Sequence, residues 1–247
     1  MKIFITGGTT GLGLGLAEIY LKEGHSVGVC GRNLNKLDKD FVEKYPNLKS
    51  YQVDVLNLEE LKKAVDDFSE GKLDIMIANA GVAEGKTPNI PDFNAVREVF
   101  TINSLGVINA FEAAMNNMLP NKSGHLVAVA SLAGFVGLPW SGAYSASKAA
   151  VLKLCESYSV SFKKYGVNVS AIAPGFVDTP LTRRNKFKMP LLMPVDKAAI
   201  KIKRALEKKK VLFIFPWQMK ILMAILEKMP RSLYRFLVGL NLVNYSD

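Results

Sequence analysis

Short apolar runs rich in β-branched residues alternate along this chain with longer stretches of helical period. Ile3-Phe4-Ile5-Thr6 predicts a first strand that ends in a glycine cluster. A helix is expected over 12–22, a strand over 27–30 and a helix over 33–45. Residues 48–53 read as a third strand and 58–68 as the next helix. The run 74–78 is short and almost wholly apolar, which is the pattern of a strand buried on both faces. After it come a helix from about 94 to 118, a strand over 125–130, a helix starting near Tyr144 and a strand over 167–172. Residues 211–214 are a candidate last strand.

Strands that alternate with helices in this way predict an α/β fold: a doubly wound parallel sheet with helices on both faces. No internal repeat, low-complexity stretch or flexible linker interrupts the chain, so a single domain is expected. Residues 1–182 carry the repeating pattern. Residues 183–247 continue the same compact unit with a loop, the last strand and a helical extension.

Composition sharpens this picture mainly through charge. The chain has 247 residues, 49% of them hydrophobic and 22% charged, which suits a globular core and excludes wholesale disorder. Its net charge of +10 is not evenly spread. Residues 183–235 carry 15 lysines and arginines against Asp196, Glu207 and Glu227, a net +12, while the remainder stands at −2. The two cysteines, Cys30 and Cys155, are too few for a disulfide framework and read as buried small hydrophobes in a reducing compartment. The amino terminus runs directly into the first strand and reads as carrying no secretory signal. No apolar run approaches the roughly 20 residues that cross a bilayer. His25 and His125 have no Cys, His or carboxylate cluster beside them, so no metal site is expected.

Candidate chemistry begins at Thr6-Gly7-Gly8-Thr9-Thr10-Gly11-Leu12-Gly13, between the first strand and the first helix. Gly7 permits a tight turn, and Gly11 and Gly13 let backbone approach a pyrophosphate held at the helix N-terminus. Taken alone, the cluster fits a ligand-free βα turn equally well. The second strand ends in Cys30-Gly31-Arg32 with no carboxylate for a ribose 2′-hydroxyl. An arginine there suits a 2′-phosphate, which favours NADP(H) over NAD(H). The competing reading of Arg32 is a solvent-facing loop residue.

The second constellation lies between the fifth strand and the helix after it. Ser131 ends an apolar strand, and Tyr144-Ser145-Ala146-Ser147-Lys148 follows thirteen residues later. Tyr144 and Lys148 are four apart and share a helix face. A free tyrosine has a pKa near 10, and a neighbouring ammonium lowers it toward useful acid–base chemistry. Ser131 is placed to donate a hydrogen bond to the same substrate oxygen. Tyr-x-x-x-Lys alone arises often by chance, so its position after this serine and this glycine turn carries the weight.

Together these residues resemble the short-chain dehydrogenase/reductase superfamily over about residues 1–182. Thr6-Gly7-x-x-x-Gly11-x-Gly13 matches the family's cofactor motif, in which Thr9, Thr10 and Leu12 also fall. Asp54-Val55 matches the dipeptide whose Asp contacts adenine. Asn79-Ala80-Gly81 matches the motif after the fourth strand, with Ala78 in place of the commoner preceding Asn. Asn103, Ser131, Tyr144 and Lys148 match the catalytic tetrad, and Pro174-Gly175-Phe176-Val177-Asp178-Thr179 matches the segment at the nicotinamide end.

The resemblance implies a Rossmann-type sheet and hydride transfer between the nicotinamide and a carbonyl or alcohol carbon. Tyr144 would exchange the proton, and Lys148 would bind the nicotinamide ribose and depress the tyrosine pKa. Ser131 would polarise the carbonyl, and Asn103 would anchor a water in a proton path. Cofactor contacts are implied for Gly7, Thr9, Thr10, Gly11, Leu12, Gly13, Arg32, Asp54, Val55, Asn79, Ala80, Gly81, Tyr144, Lys148, Pro174, Gly175, Val177 and Thr179. The family also implies a homodimer or homotetramer. A different class of function, an NADPH-binding regulator without turnover, is opposed by the complete tetrad.

Residues 181–195 fall at the family's variable substrate lid, and Pro139 and Trp140 either line the substrate pocket or pack against that lid. The remaining tail, 197–243, reads as short helices dense in Lys, Arg, Trp and aliphatic residues. That composition fits an interfacial segment on an anionic membrane, and it fits equally helices packed on the enzyme or on a dimer partner. Lipid contact would favour a lipophilic oxo substrate. No nucleic-acid motif accompanies the charge. The expected location is the cytoplasm, peripheral to the inner face of a membrane if the tail touches lipid.

Overall fold

The computed structural model describes residues 1–83, 91–139, 141–185 and 188–239. Its strands are β1 (Lys2–Thr6), β2 (Ser26–Gly31), β3 (Leu48–Gln52), β4 (Ile75–Ala78), β5 (Gly124–Val129), β6 (Val167–Pro174) and β7 (Leu212–Phe215). Among the described residues these form one sheet in the order β3-β2-β1-β4-β5-β6-β7. Every pairing is parallel. The helices are α1 (Gly11–Lys22), α2 (Lys39–Lys44), α3 (Leu58–Ser69), α4 (Phe93–Phe100), α5 (Gly106–Met118), α6 (Gly142–Ser161), α7 (Val195–Glu207), α8 (Trp217–Lys228) and α9 (Arg231–Gly239).

Alternation along β1 sets the layers. Phe4 points into a core with Leu61, Phe68, Phe111 and Val151 from α3, α5 and α6. Ile3 and Ile5 point the other way, onto Leu16 and Tyr20 of α1 and Ile202 and Leu206 of α7. The result is the doubly wound, Rossmann-type α/β domain that the sequence predicts. Strand order reverses between β1 and β4, which opens a crevice at the carboxyl ends of the strands.

Two expected helices come out differently. The helix expected over 33–45 becomes a short 3₁₀ turn, Leu34–Lys36, followed by α2. Asn33 Oδ1 accepts from the amide of Asn35 at 2.9 Å and Asp38 Oδ1 from that of Asp40 at 3.0 Å. These local side-chain bonds compete with a continuous helix. The long helix expected over 94–118 is present, but Thr101–Leu105 between α4 and α5 is a π-turn. The wider turn falls on Asn103, in line with the frequent placement of π-bulges at functional sites.

The basic tail is not uniform either. β7 extends the sheet beside β6, and Ala198, Ala199, Ile202 and Leu206 of α7 are core residues. Lys203 pairs with Glu23, the C-cap residue of α1, at 2.8 Å, and Arg183 pairs with Asp178 at 2.7 Å. The interfacial reading of 197–243 therefore does not hold for α7, whose apolar face is spent on the sheet. Residues 240–243 of that segment lie outside the described residues, as does Trp140. Among the described residues, no helix is long and apolar enough to cross a membrane.

Candidate active site

The glycine turn after β1 is held from both sides. Gly7 and Gly11 have φ of +63° and +56°, a region that favours glycine. Thr6 Oγ1 accepts from the amides of Asn79 at 3.1 Å and Ala80 at 3.2 Å. Asn79 Nδ2 donates to the carbonyls of Thr6 at 3.1 Å and Gly7 at 3.0 Å. The N-cap residue of α1, Thr10, makes no side-chain capping bond. The first amides of α1 thus face the crevice without a protein acceptor, which is the arrangement that holds an anion.

One continuous cleft runs across the strand ends. Gly7, Thr9, Thr10, Gly11 and Leu12 line it beside β1, with Asp54 and Val55 after β3 and Asn79, Ala80 and Gly81 after β4. Ser131, Tyr144, Lys148, Pro174, Gly175, Val177 and Thr179 line its other end. Arg32 sits at the β2 end, exposed and without an ion pair to a described carboxylate. The structure thus brings together all but two of the expected site residues.

The two exceptions lie behind the cleft wall. A Cβ on Gly13 would sit 2.4 Å from Gly7 O and 2.5 Å from Asn79 Nδ2, so Gly13 acts through packing of α1 on the turn. Asn103 is fully buried; its Oδ1 accepts from the Val82 amide at 2.8 Å. Its Nδ2 donates to Val82 O at 2.9 Å and Ser147 Oγ at 3.1 Å. Asn103 therefore ties the π-turn to the loop after β4 and to α6. A Cβ on Gly81 would meet Asn103 Oδ1 at 3.1 Å and Lys148 Nζ at 3.5 Å, so both groups converge beside that glycine.

Ser131 leaves β5 and opens a 3₁₀ turn, accepting from the Ala133 amide at 3.2 Å. Tyr144 stands in the first turn of α6 and lines the same end of the cleft as Ser131. One helical turn on, Lys148 is buried, donates from Nζ to Val129 O at 2.8 Å and lies 5.7 Å from the Tyr144 ring centre. Burial lowers the Lys148 pKa to about 8. Tyr144 moves opposite to the expectation: withdrawal of water from its phenol raises its pKa, and the neighbouring Ser131 hydroxyl only partly offsets that.

Other cleft residues carried weaker signals in the sequence. Lys36 adds a second cation beside Arg32, and its spacing from Arg32 placed it there only once the 3₁₀ turn was known. Thr182 Oγ1 donates to Val177 O at 2.6 Å and accepts from the Thr179 amide at 2.9 Å, fixing the loop after β6. Val82, Ile102 and Val129 line the cleft as ordinary apolar residues with no motif to mark them. Pro139 is not among the lining residues. His125 belongs to β5, buried against Ser170 Oγ at 2.7 Å, away from the cleft. Both cysteines are buried thiols, and the described residues contain no cluster of three or more metal-binding side chains.

The family model for short chain dehydrogenases matches residues 1–189. The chain belongs to the short-chain dehydrogenase/reductase superfamily. It is an oxidoreductase of that type. An uncharacterized oxidoreductase of Myxococcus xanthus is 33% identical over 235 residues, covering 93% of this chain and 93% of the relative. A short-chain dehydrogenase of Burkholderia cenocepacia, solved in complex with NADP, superposes with a TM-score of 0.84 at 26% identity, covering 96% of each chain. A short-chain dehydrogenase/reductase of Burkholderia phymatum, solved with NAD, has a TM-score of 0.82 at 22% identity, covering 91% of this chain and 92% of that one, and shares the fold.

Proposed function

We propose that this oxidoreductase interconverts a carbonyl and an alcohol with NADP(H), using Tyr144 as acid and base. The convergence of Ser131 and Tyr144 on one end of the cleft, with the buried Lys148 ammonium one helical turn away, carries the reading. Two hydroxyls that line the same end of the cleft define where a substrate oxygen would be received. In the reducing direction Tyr144 gives that oxygen a proton while Ser131 donates a hydrogen bond to it. Lys148, with its pKa near 8, is largely cationic at neutral pH and stabilises the phenolate that remains. Asn103 and Lys148 meet beside Gly81, which suits return of a proton from the solvent side.

The cleft residues fit a nicotinamide dinucleotide. The positive-φ glycines and the uncapped start of α1 suit a pyrophosphate, and Lys148 and Thr179 stand at the nicotinamide end. When bound, that cofactor supplies or accepts the hydride. Arg32 and Lys36 give the adenosine end two cations, with no carboxylate at the end of β2, which supports NADP(H) over NAD(H). One similar structure was solved with NADP and another with NAD, so this preference rests on Arg32 and Lys36.

Tyr144→Phe tests the assignment in a panel of carbonyl compounds followed by NADPH consumption. NADPH affinity is expected to stay within about twofold, while turnover falls roughly 10²–10⁴-fold. Wild-type turnover by the variant would refute the role.

A further inference from the structure

Among the described helices, α8 is apolar on two opposite sides. Met219, Met223 and Leu226 pack inward on Leu132 and Val136 of the loop that joins Ser131 to α6. Trp217, Ile221, Ala224 and Ile225 recur at spacings of three and four along the other side and are exposed, Trp217 at 67% and Ile225 at 56%. Helix α3 shows the ordinary pattern, with Leu61, Val65 and Phe68 buried while Glu59, Glu60, Lys63 and Asp66 face water. An apolar outer stripe is costly in water, and it marks a surface that is covered in use.

The charge around the stripe selects the cover. Lys220, Lys228, Arg231 and Arg235 are all exposed and make no ion pair with a described carboxylate, and Glu227 is the one acid on α8 or α9. Lys228 borders a shallow groove formed with Ile221, Ala224, Ile225 and Met229. A second copy laid on this face would set these cations against their own equivalents, which opposes association. Anionic headgroups neutralise them.

We propose that α8 docks lengthwise on an anionic lipid surface. Trp217, Ile221 and Ile225 enter the boundary between headgroups and acyl chains, and the cations of α8 and α9 meet lipid phosphates. At 12 residues α8 is about 18 Å long, too short to span the roughly 30 Å hydrocarbon layer but suited to lie on it. Its start also adjoins the cleft. A Cβ on Gly175, which lines the cleft, would meet Pro216 Cδ at 3.1 Å and Leu132 Cδ1 at 3.2 Å. Given the carbonyl-reducing function proposed above, docking sets that cleft beside lipid and directs the enzyme to lipophilic oxo compounds.

Flotation of the full chain with phosphatidylcholine vesicles, with and without phosphatidylglycerol, tests docking without any turnover. Binding to the anionic vesicles alone is expected. Ile221→Glu/Ile225→Glu should weaken it about a hundredfold or more, and Lys220→Gln and Lys228→Gln about fivefold each. Unchanged melting temperature and NADPH affinity in solution would show that these surface variants fold. No flotation by the wild type at low salt, equal flotation on both vesicles, or wild-type flotation by the double isoleucine variant would each overturn the proposal. So would a wild-type dimer that ignores vesicles and that Ile221→Glu/Ile225→Glu converts to monomer in light scattering.

Discussion

Gly13→Ala probes how the first helix is coupled to the cleft. The added Cβ would lie 2.4 Å from Gly7 O, 2.5 Å from Asn79 Nδ2 and 3.0 Å from Gly8 Cα. Neither of the first two atoms is free to retreat, because Asn79 Nδ2 donates to Gly7 O at 3.0 Å and to Thr6 O at 3.1 Å. Overpacking of this kind costs about 1–3 kcal/mol. Loosening the two Asn79 bonds adds about 1 kcal/mol each. Exchanging glycine for alanine inside a helix returns about 1 kcal/mol. The net loss is about 2–4 kcal/mol, which for a chain of this size lowers the melting temperature by about 4–16 °C.

The same displacement spoils the turn proposed to receive the pyrophosphate, so NADPH affinity is expected to fall at least about tenfold. Thermal melts with and without NADPH, together with a fluorescence titration of NADPH, read both effects. Gly142→Ala is the matched control: a Cβ there meets nothing within 4 Å at the first position of α6, and a gain of up to about 1 kcal/mol is expected. A Gly13→Ala protein that melts and binds NADPH like the wild type would refute the tight packing of α1 on the turn.

Arg32→Ala and Lys36→Ala should each weaken NADPH about tenfold while leaving NADH nearly unchanged; equal losses for the two cofactors, measured by titration, would remove the 2′-phosphate contact. His125 is held neutral by burial, its pKa lowered to about 4. The unfolded chain binds the extra proton first, so stability is full above pH 6.5 and is lost as the pH falls toward 4, by on the order of 3 kcal/mol. His125→Gln, which keeps a partner for Ser170, should flatten that part of the urea-stability profile, and an unaltered profile would show that another group governs it.

Much of the site was legible because its chemistry sits at strand ends. Gly7 and Gly11 answer to backbone conformation, and Ser131, Tyr144 and Lys148 to a spacing that one strand end and one helix turn impose. Lys36 was missed because its approach depends on the break that Asn33 and Asp38 place in the expected helix. The direction of the Tyr144 shift was missed for a different reason. Spacing from Lys148 reports a nearby cation, whereas the larger effect is loss of water around the phenol, which only the packed environment sets.

The alternation of apolar runs by itself determined the parallel sheet and the positions of its strands, because those follow from residue type and period along one chain. The candidate catalytic residues came from motif spacing and the family resemblance. The fate of each apolar helix face was decided only in three dimensions. Both α7 and α8 read as amphipathic helices in a basic tail, yet Ile202 and Leu206 are buried against α1 while Ile221 and Ile225 stand in water. Burial needs a partner surface as well as an apolar stripe: α1 and the face of the sheet provide one for α7, whereas the loop after β5 provides one for the inner side of α8 alone. Asn103 shows the same dependence on partners, since Val82 and Ser147, distant in sequence, claim its amide.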